Sequence, residues 1–294
     1  MKIAVVGGKG GTGKTIIATN LACTFSRRKE KTLIADLDVD NPCVLNTIKC
    51  IKTTLVREEQ VLRLKPRIDS SKCNLCGRCI QVCPEHALAL IPDKGVILIE
   101  TLCGGCGCCV LVCDQGAIVE NYVPEAIVRY YSTEFFDVLV GELVPGHRRS
   151  YVIITKIVEG YRDFFNKYDV VVIDSPPGTG AGVFSILKNS DKVVVVTEPT
   201  PVGISDFVKL LKLLEKKFNN KKTIVVINKS TLNESLTKKI EDMCNRNSLP
   251  YVKIPYSETI VYSYVKGIPL TIYEKTDREV MEVFYSIVEK LTGK

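Results

Sequence analysis

With 294 residues, 46% hydrophobic and 25% charged, the chain has the length for one substantial α/β core plus a small insert and the composition of a soluble globular protein. Its net charge of +7 is moderate and spread out, and the densest basic stretch, Lys209 to Lys222, reads as the solvated face of a helix, so no nucleic acid is expected as a partner. No apolar stretch is long enough to span a membrane and the N-terminus opens on a strand, so we expect a cytoplasmic protein with neither a signal peptide nor stable membrane insertion.

The run Ile3–Val6 suits a buried parallel strand. It leads into Gly8, Lys9, Gly10, Gly11, Thr12, Gly13, Lys14 and Thr15, which satisfy G-x4-G-K-[ST] between a strand and a helix. The glycines let backbone N–H groups close around phosphates. Lys14 neutralises the β/γ oxygens, Thr15 offers a hydroxyl to Mg2+, and the helix Lys14–Arg28 points its positive end at the anion. A second strand, Thr32–Asp36, is followed by Asp38 and Asp40. In an extended segment Asp36, Asp38 and Asp40 share a face, which suits metal and water handling.

An irregular stretch to about residue 62 precedes a cysteine module over 63–121. Cys73, Cys76, Cys79 and Cys83 are spaced C-x2-C-x2-C-x3-C, and Cys103, Cys106, Cys109 and Cys113 repeat the pattern. This is the spacing of bacterial two-cluster ferredoxins. Three cysteines at i, i+3 and i+6 can wrap three irons of one cube, and the fourth starts a helix and reaches the other cube. The expected sets are therefore crossed: Cys73, Cys76, Cys79 and Cys113 for one [4Fe–4S] cluster, Cys103, Cys106, Cys109 and Cys83 for the other. Zinc takes four ligands from two C-x2-4-C knuckles, which the doubled register does not match. Of the 13 cysteines, Cys23, Cys43, Cys50, Cys108 and Cys244 remain; Cys108 is out of phase and reads as a packed thiol.

Residues 122–149 read as a connector, and Tyr151–Phe165 as a helix. Four apolar runs follow, Val170–Ile173, Val193–Thr197, Ile224–Ile227 and Tyr251–Ile254, with helical segments near Ser205–Phe218, Leu232–Asn245 and Asp277–Leu291. Alternating strands and helices mean a mostly parallel sheet covered on both faces. The domain expectation is a P-loop nucleotide-binding domain in two parts, 1–62 and 122–294, with the ferredoxin-type insert at 63–121. Asp174 ends one strand and opens Asp-Ser-Pro-Pro-Gly-Thr-Gly, where a carboxylate would hold Mg2+ through water. Asn228 ends another strand, at a place suited to reading a purine edge.

Lys9, directly after the first glycine of the loop, marks a resemblance to the deviant Walker ATPases: MinD, ParA, the nitrogenase iron protein and Mrp-type iron–sulfur carriers. The stretch Asp36–Pro42 looks like their switch I, Asp174–Gly180 like switch II, and Ile254–Ser257, with Pro255, like the segment near the adenine. The whole chain resembles MinD-superfamily ATPases with an inserted ferredoxin domain. The resemblance implies ATP and Mg2+ as ligands and a nucleotide-sandwiched dimer, of like chains or with a paralogue. In it Lys9 would reach the partner's nucleotide, Asp38 would orient the attacking water, and Asp36 would stand near the metal. Two departures are Asp114, where a proline usually follows the fourth ligand, and Cys43, where a polar residue is expected.

Three functions are compatible with this: a slow ATPase whose nucleotide state gates electron transfer to a redox partner protein, a carrier or assembly factor delivering clusters to an apo iron–sulfur protein, and a positioning ATPase. The resemblance implies that a carrier bridges a labile cluster through a C-terminal C-x-x-C. Here Cys244 is the only cysteine after Cys113.

Overall fold

A computed structural model describes residues 1–92, 94–146, 149–276 and 278–293. The chain divides into two compact units, Met1–Glu59 with Ile127–Lys294, and Gln60–Ala126. No helix of the described residues is long and apolar enough to cross a membrane.

Among the described residues, nine strands of the first unit and its outer edge form one sheet, in the order Tyr251–Lys253, Lys222–Ile227, Lys192–Thr197, Lys2–Val6, Val170–Asp174, Thr32–Asp36, Asp137–Leu143, Tyr122–Thr133 and Thr53–Leu64. From Tyr251–Lys253 through Asp137–Leu143 all pairings are parallel. Strands buried on both faces read as continuous apolar runs, as Val170–Ile173 does before the buried Asp174. Helices Lys14–Arg27 and Arg278–Thr292 pack on this sheet, contributing Ile17, Leu21, Phe25, Phe284, Ile287 and Leu291 to the core. Asp277, where the last helix was expected to begin, lies outside the described residues.

The connector expected over 122–149 is instead two sheet strands, Tyr122–Thr133 and Asp137–Leu143, with 147 and 148 outside the described residues. The stretch expected to be irregular before residue 62 also holds a strand, Thr53–Leu64. Its local signal is weak because it ends the sheet, with Arg57 and Glu58 exposed; edge strands carry charge that discourages further pairing. The helix expected over Tyr151–Phe165 is broken into Ser150–Gly160 and Arg162–Phe165.

In the second unit two short antiparallel pairs, Arg67–Ile68 with Ile118–Val119 and Leu88–Ile91 with Gly95–Leu98, flank two one-turn helices, Arg78–Gln81 and Cys108–Leu111. A small apolar core of Leu88, Val96 and Ile118 includes Cys79 and Cys109. So small a core contributes little burial by itself.

Candidate functional site

Parallel pairing brings the carboxyl ends of the strands to one edge, where α/β sheets bind ligands. Gly7–Gly13 leaves the strand Lys2–Val6 there. Asp36, Asp174, Glu198, Asn228 and Pro255 each end or closely follow a neighbouring strand. They adjoin a cavity of about 350 Å3 lined by Gly10, Gly11, Gly13, Lys14, Thr15, Asp38, Asn41, Cys43, Asn228, Lys229, Pro255, Tyr256 and the helix face Ile260, Val261 and Tyr264. The helix Glu258–Lys266 was missed by sequence reasoning. Its signals are the cap Ser257, which accepts from the Thr259 N–H, and Gly267, left-handed at the C-cap.

The loop demands glycine at specific points. Gly13 has φ 94°, and a Cβ on it would stand 2.4 Å from Asn228 Nδ2. A Cβ on Gly8 would stand 2.1 Å from Asp206 Cβ. Asn228 Nδ2 donates to the Thr12 carbonyl at 2.8 Å, so in this structure its amide braces the loop.

Lys14 is buried, with Nζ donating to the Lys9 carbonyl at 3.2 Å. Burial lowers its pKa, opposed by the carboxylates of Asp174 and Asp38. Thr15 Oγ1 donates to Asp174 Oδ2 at 2.6 Å, while Asp174 Oδ1 is buried without a hydrogen bond. A buried carboxylate oxygen left unpartnered is costly, and a hydrated Mg2+ beside Thr15 would satisfy it. The residues therefore fit the cation: Thr15 would ligate it and Asp174 would hold its water.

Asp36 is used differently from the metal-side role expected of it. Its Oδ1 accepts from the Asp38 N–H at 3.3 Å, and its Oδ2 from Cys43 and Val44 at 2.7 and 2.8 Å. The carboxylate thus folds the Asp38–Val44 loop back on itself. The shared face expected for Asp36, Asp38 and Asp40 does not form, because the extended backbone stops at Asp36 and a turn begins at Val39. Asp36 is buried, Asp38 half-buried at the cavity, and Asp40 exposed. Cys43 lines the cavity and donates its thiol to the Asn41 carbonyl at 3.1 Å.

Lys9 Nζ meets Glu198 at 2.7 Å, and Lys229 Nζ meets the other Glu198 oxygen at 2.9 Å. Burial alone would push the Glu198 carboxyl up; the two lysines overcome it and hold the group below its usual value. Glu198 was not singled out from the sequence, since nothing local marks a glutamate after a strand as a lysine's partner.

The carboxylates set a pH dependence. Burial raises Asp38 to about 6 and Asp36 to about 7, and raises Asp174 well above the usual 3.8, with Asp36 adding repulsion. The folded protein keeps these protons where the unfolded chain has lost them. Their contribution to stability is thus intact below the usual carboxylate value and is lost as pH rises through about 6 to 7. Mg2+ needs Asp174 ionised, and its carboxyl is held well above the usual 3.8, so the Mg2+-dependent part of ATP affinity should grow as pH rises from the acid range. Calorimetric titrations with Mg2+ and with EDTA check this; a pH-independent difference would remove Asp174 from the cation's shell.

In the second unit Cys73, Cys76, Cys79 and Cys113 line one small pocket, walled by Ile68, Val96, Ala117 and Ile118. Cys83, Cys103, Cys106 and Cys109 line another, walled by Pro66, Ala87, Leu88 and Leu98. Gly77 and Gly107, at φ 72° and 79°, turn the chain so that each third cysteine enters a one-turn helix. Each fourth cysteine lies just past that helix, beside the other motif's trio. The Ala87 N–H donates to Cys83 Sγ at 3.3 Å. Cys108 lines neither cavity. Among the described residues no three His, Cys, Asp or Glu side chains converge on a point that would hold a single metal ion.

Over residues 3–270 the chain matches the family model of the CobQ/CobB/MinD/ParA nucleotide binding domain. It is 31% identical to the protein MJ0579 of Methanocaldococcus jannaschii, over 91% of this chain and 90% of that one. It is 25% identical to the septum site-determining protein MinD of Thermotoga maritima, over 99% and 88%. Its fold resembles that of the septum site-determining protein MinD of Pyrococcus horikoshii solved with Mg-ADP, at a TM-score of 0.59 and 17% identity, covering 99% of this chain and 96% of that one.

Proposed function

Because this chain belongs to the MinD/ParA family of P-loop nucleotide-binding domains, we propose that it is a slow Mg2+-dependent ATPase whose nucleotide state gates electron transfer through two [4Fe–4S] clusters. The observation that carries the iron–sulfur part is the division of eight thiols into two apolar cavities of four, with crossed membership. Thiols splayed around a cavity suit a cube with irons at separate corners, and they do not suit one ion. When bound, such clusters supply one-electron redox chemistry; the chain holds them, shields them with Val96, Leu88 and Leu98, and donates N–H groups to sulfur.

The nucleotide part rests on Lys14, Thr15 and Asp174 at the phosphate end of the large cavity, with Pro255, Tyr256 and Tyr264 walling its far side. Asp38, half-buried beside Lys14, would orient the attacking water. Lys9 would act on the nucleotide of a dimer partner, a second copy or a paralogue, after leaving Glu198. Cys244 is wholly buried, which speaks against a carrier mechanism that uses it as a ligand. Helix Arg278–Thr292 spends its apolar face on the protein's own core, which speaks against a free membrane-binding helix.

Gating is proposed from chain order. The cysteine-bearing residues stand between Asp38 and Asp174, so a change at either nucleotide-facing segment is carried into the chain that leads to the clusters. Linkage then requires the redox state to alter nucleotide affinity in return. The test is the affinity for ADP and for a non-hydrolysable ATP analogue with the protein oxidised and reduced, alongside reduction midpoints with each nucleotide. A several-fold difference in affinity with a matching shift in midpoint is expected. Equal affinities and unmoved midpoints would overturn gating and favour delivery of iron–sulfide to an apo-protein.

A further inference from the structure

The two cysteine motifs differ at several positions, but their charged residues stand at two of them, and both charges belong with the same cavity. Between the second and third cysteines stand Gly77 and Arg78 in the first motif, Gly107 and Cys108 in the second. After the fourth stand Pro84 and Asp114. Because membership is crossed, Arg78 beside Cys76 and Asp114 beside Cys113 belong together. Arg78 lines that cavity, its side chain donates to the Cys76 sulfur, and its guanidinium pairs with Asp114. The aspartate that replaces the usual proline therefore has a role: it anchors the arginine.

The other cavity has no cation at the matching place beside a sulfur; the nearby Arg63 donates to the Cys103 carbonyl and is paired with Glu125 at 3.5 Å, which cancels its charge. There the Cys108 thiol interacts with Cys106, and Pro84 offers no charge. Apart from its cysteines, the one ionisable side chain lining that cavity among the described residues is Glu85.

Adding an electron makes a cluster and its thiolates more negative. A cation donating to sulfur stabilises that state and raises the potential, whereas a nearby carboxylate opposes it. A charge-assisted bond is also stronger than one from a thiol. Asp114 offsets part of the effect, but it touches the guanidinium and not the sulfur. Both side chains are well exposed, so the nearer charge dominates after screening.

Resting on the iron–sulfur reading above, we propose that Arg78 makes the cluster held by Cys73, Cys76, Cys79 and Cys113 the higher-potential one of the pair. An electron supplied by an external one-electron reductant then settles at that cluster, and the other is reduced second.

The test is an anaerobic redox titration of the full chain with dithionite, followed by electron paramagnetic resonance, with iron counted beforehand. Two one-electron midpoints are expected, at least tenfold apart in reduction equilibrium, about 59 mV. Arg78→Gln should lower the upper midpoint and leave the lower one in place. Asp114→Asn should raise the upper midpoint, by freeing the guanidinium of its counter-charge. Cys108→Arg should raise the lower one and narrow the gap. Opposite signs for Arg78→Gln and Asp114→Asn are what a merely structural pair would not give. If Arg78→Gln loses iron, the other two variants decide. With both clusters present, coincident wild-type midpoints, a shift of the lower midpoint in Arg78→Gln, or equal signs for the two charge variants would overturn the assignment. A wild type without clusters would instead overturn the iron–sulfur reading and this inference with it.

Discussion

Lys14→Ala is expected to weaken ATP binding by roughly a hundredfold or more, since losing charge-assisted hydrogen bonds to phosphate costs ~3 kcal/mol. The local field makes the loss severe. Lys14 is the buried cation facing Asp174 and Asp38, and without it those carboxylates repel the nucleotide's phosphates. Lys9→Ala should behave differently. Its ammonium is held by Glu198 and is half-exposed, so binding to one chain should survive while hydrolysis and nucleotide-dependent dimerisation fall. Calorimetry and light scattering on the same preparations separate the two. A Lys9→Ala protein that turns over ATP normally would remove the proposed action across a dimer.

Cys83→Ser is expected to reduce the iron of the anaerobically purified protein from about eight to about four per chain. The cluster lost should be the one attributed to Cys103, Cys106 and Cys109, because Cys83 lines their cavity and not that of its own sequence neighbours. Cys113→Ser should spare that cluster and remove the other, by the same argument applied to its own cavity. Cys108→Ser should leave the iron count unchanged, since that thiol lines neither cavity. Iron and sulfide analysis with paramagnetic resonance of the single and double variants reads this directly. Loss of the cluster nearest in sequence to Cys83 would mean that ligation is not crossed.

What the sequence determines here is whatever depends on neighbours along the chain. The phosphate loop is legible because consecutive N–H groups must close on an anion, which forces glycine at Gly13 and a lysine and threonine directly after it. The doubled cysteine spacing is legible because three thiols at i, i+3 and i+6 already form one rim. The apolar runs Val193–Thr197 and Ile224–Ile227 are legible because they are buried on both faces.

Tertiary structure decided what depends on strand order. Parallel pairing sets Asp36 beside Asp174 and brings Glu198 and Asn228 to the same edge; no local pattern in the sequence says which strand follows which. Hence Glu198 was invisible as the partner of Lys9, and Asp36 turned out to spend its oxygens on the backbone of Cys43 and Val44. The strand Thr53–Leu64 ends the sheet order and Tyr122–Thr133 stands next to it, and their partial exposure leaves no continuous apolar run. The same holds for Arg78 and Asp114. Far apart in sequence, they form an ion pair only because each motif sends its last cysteine to the other's cavity.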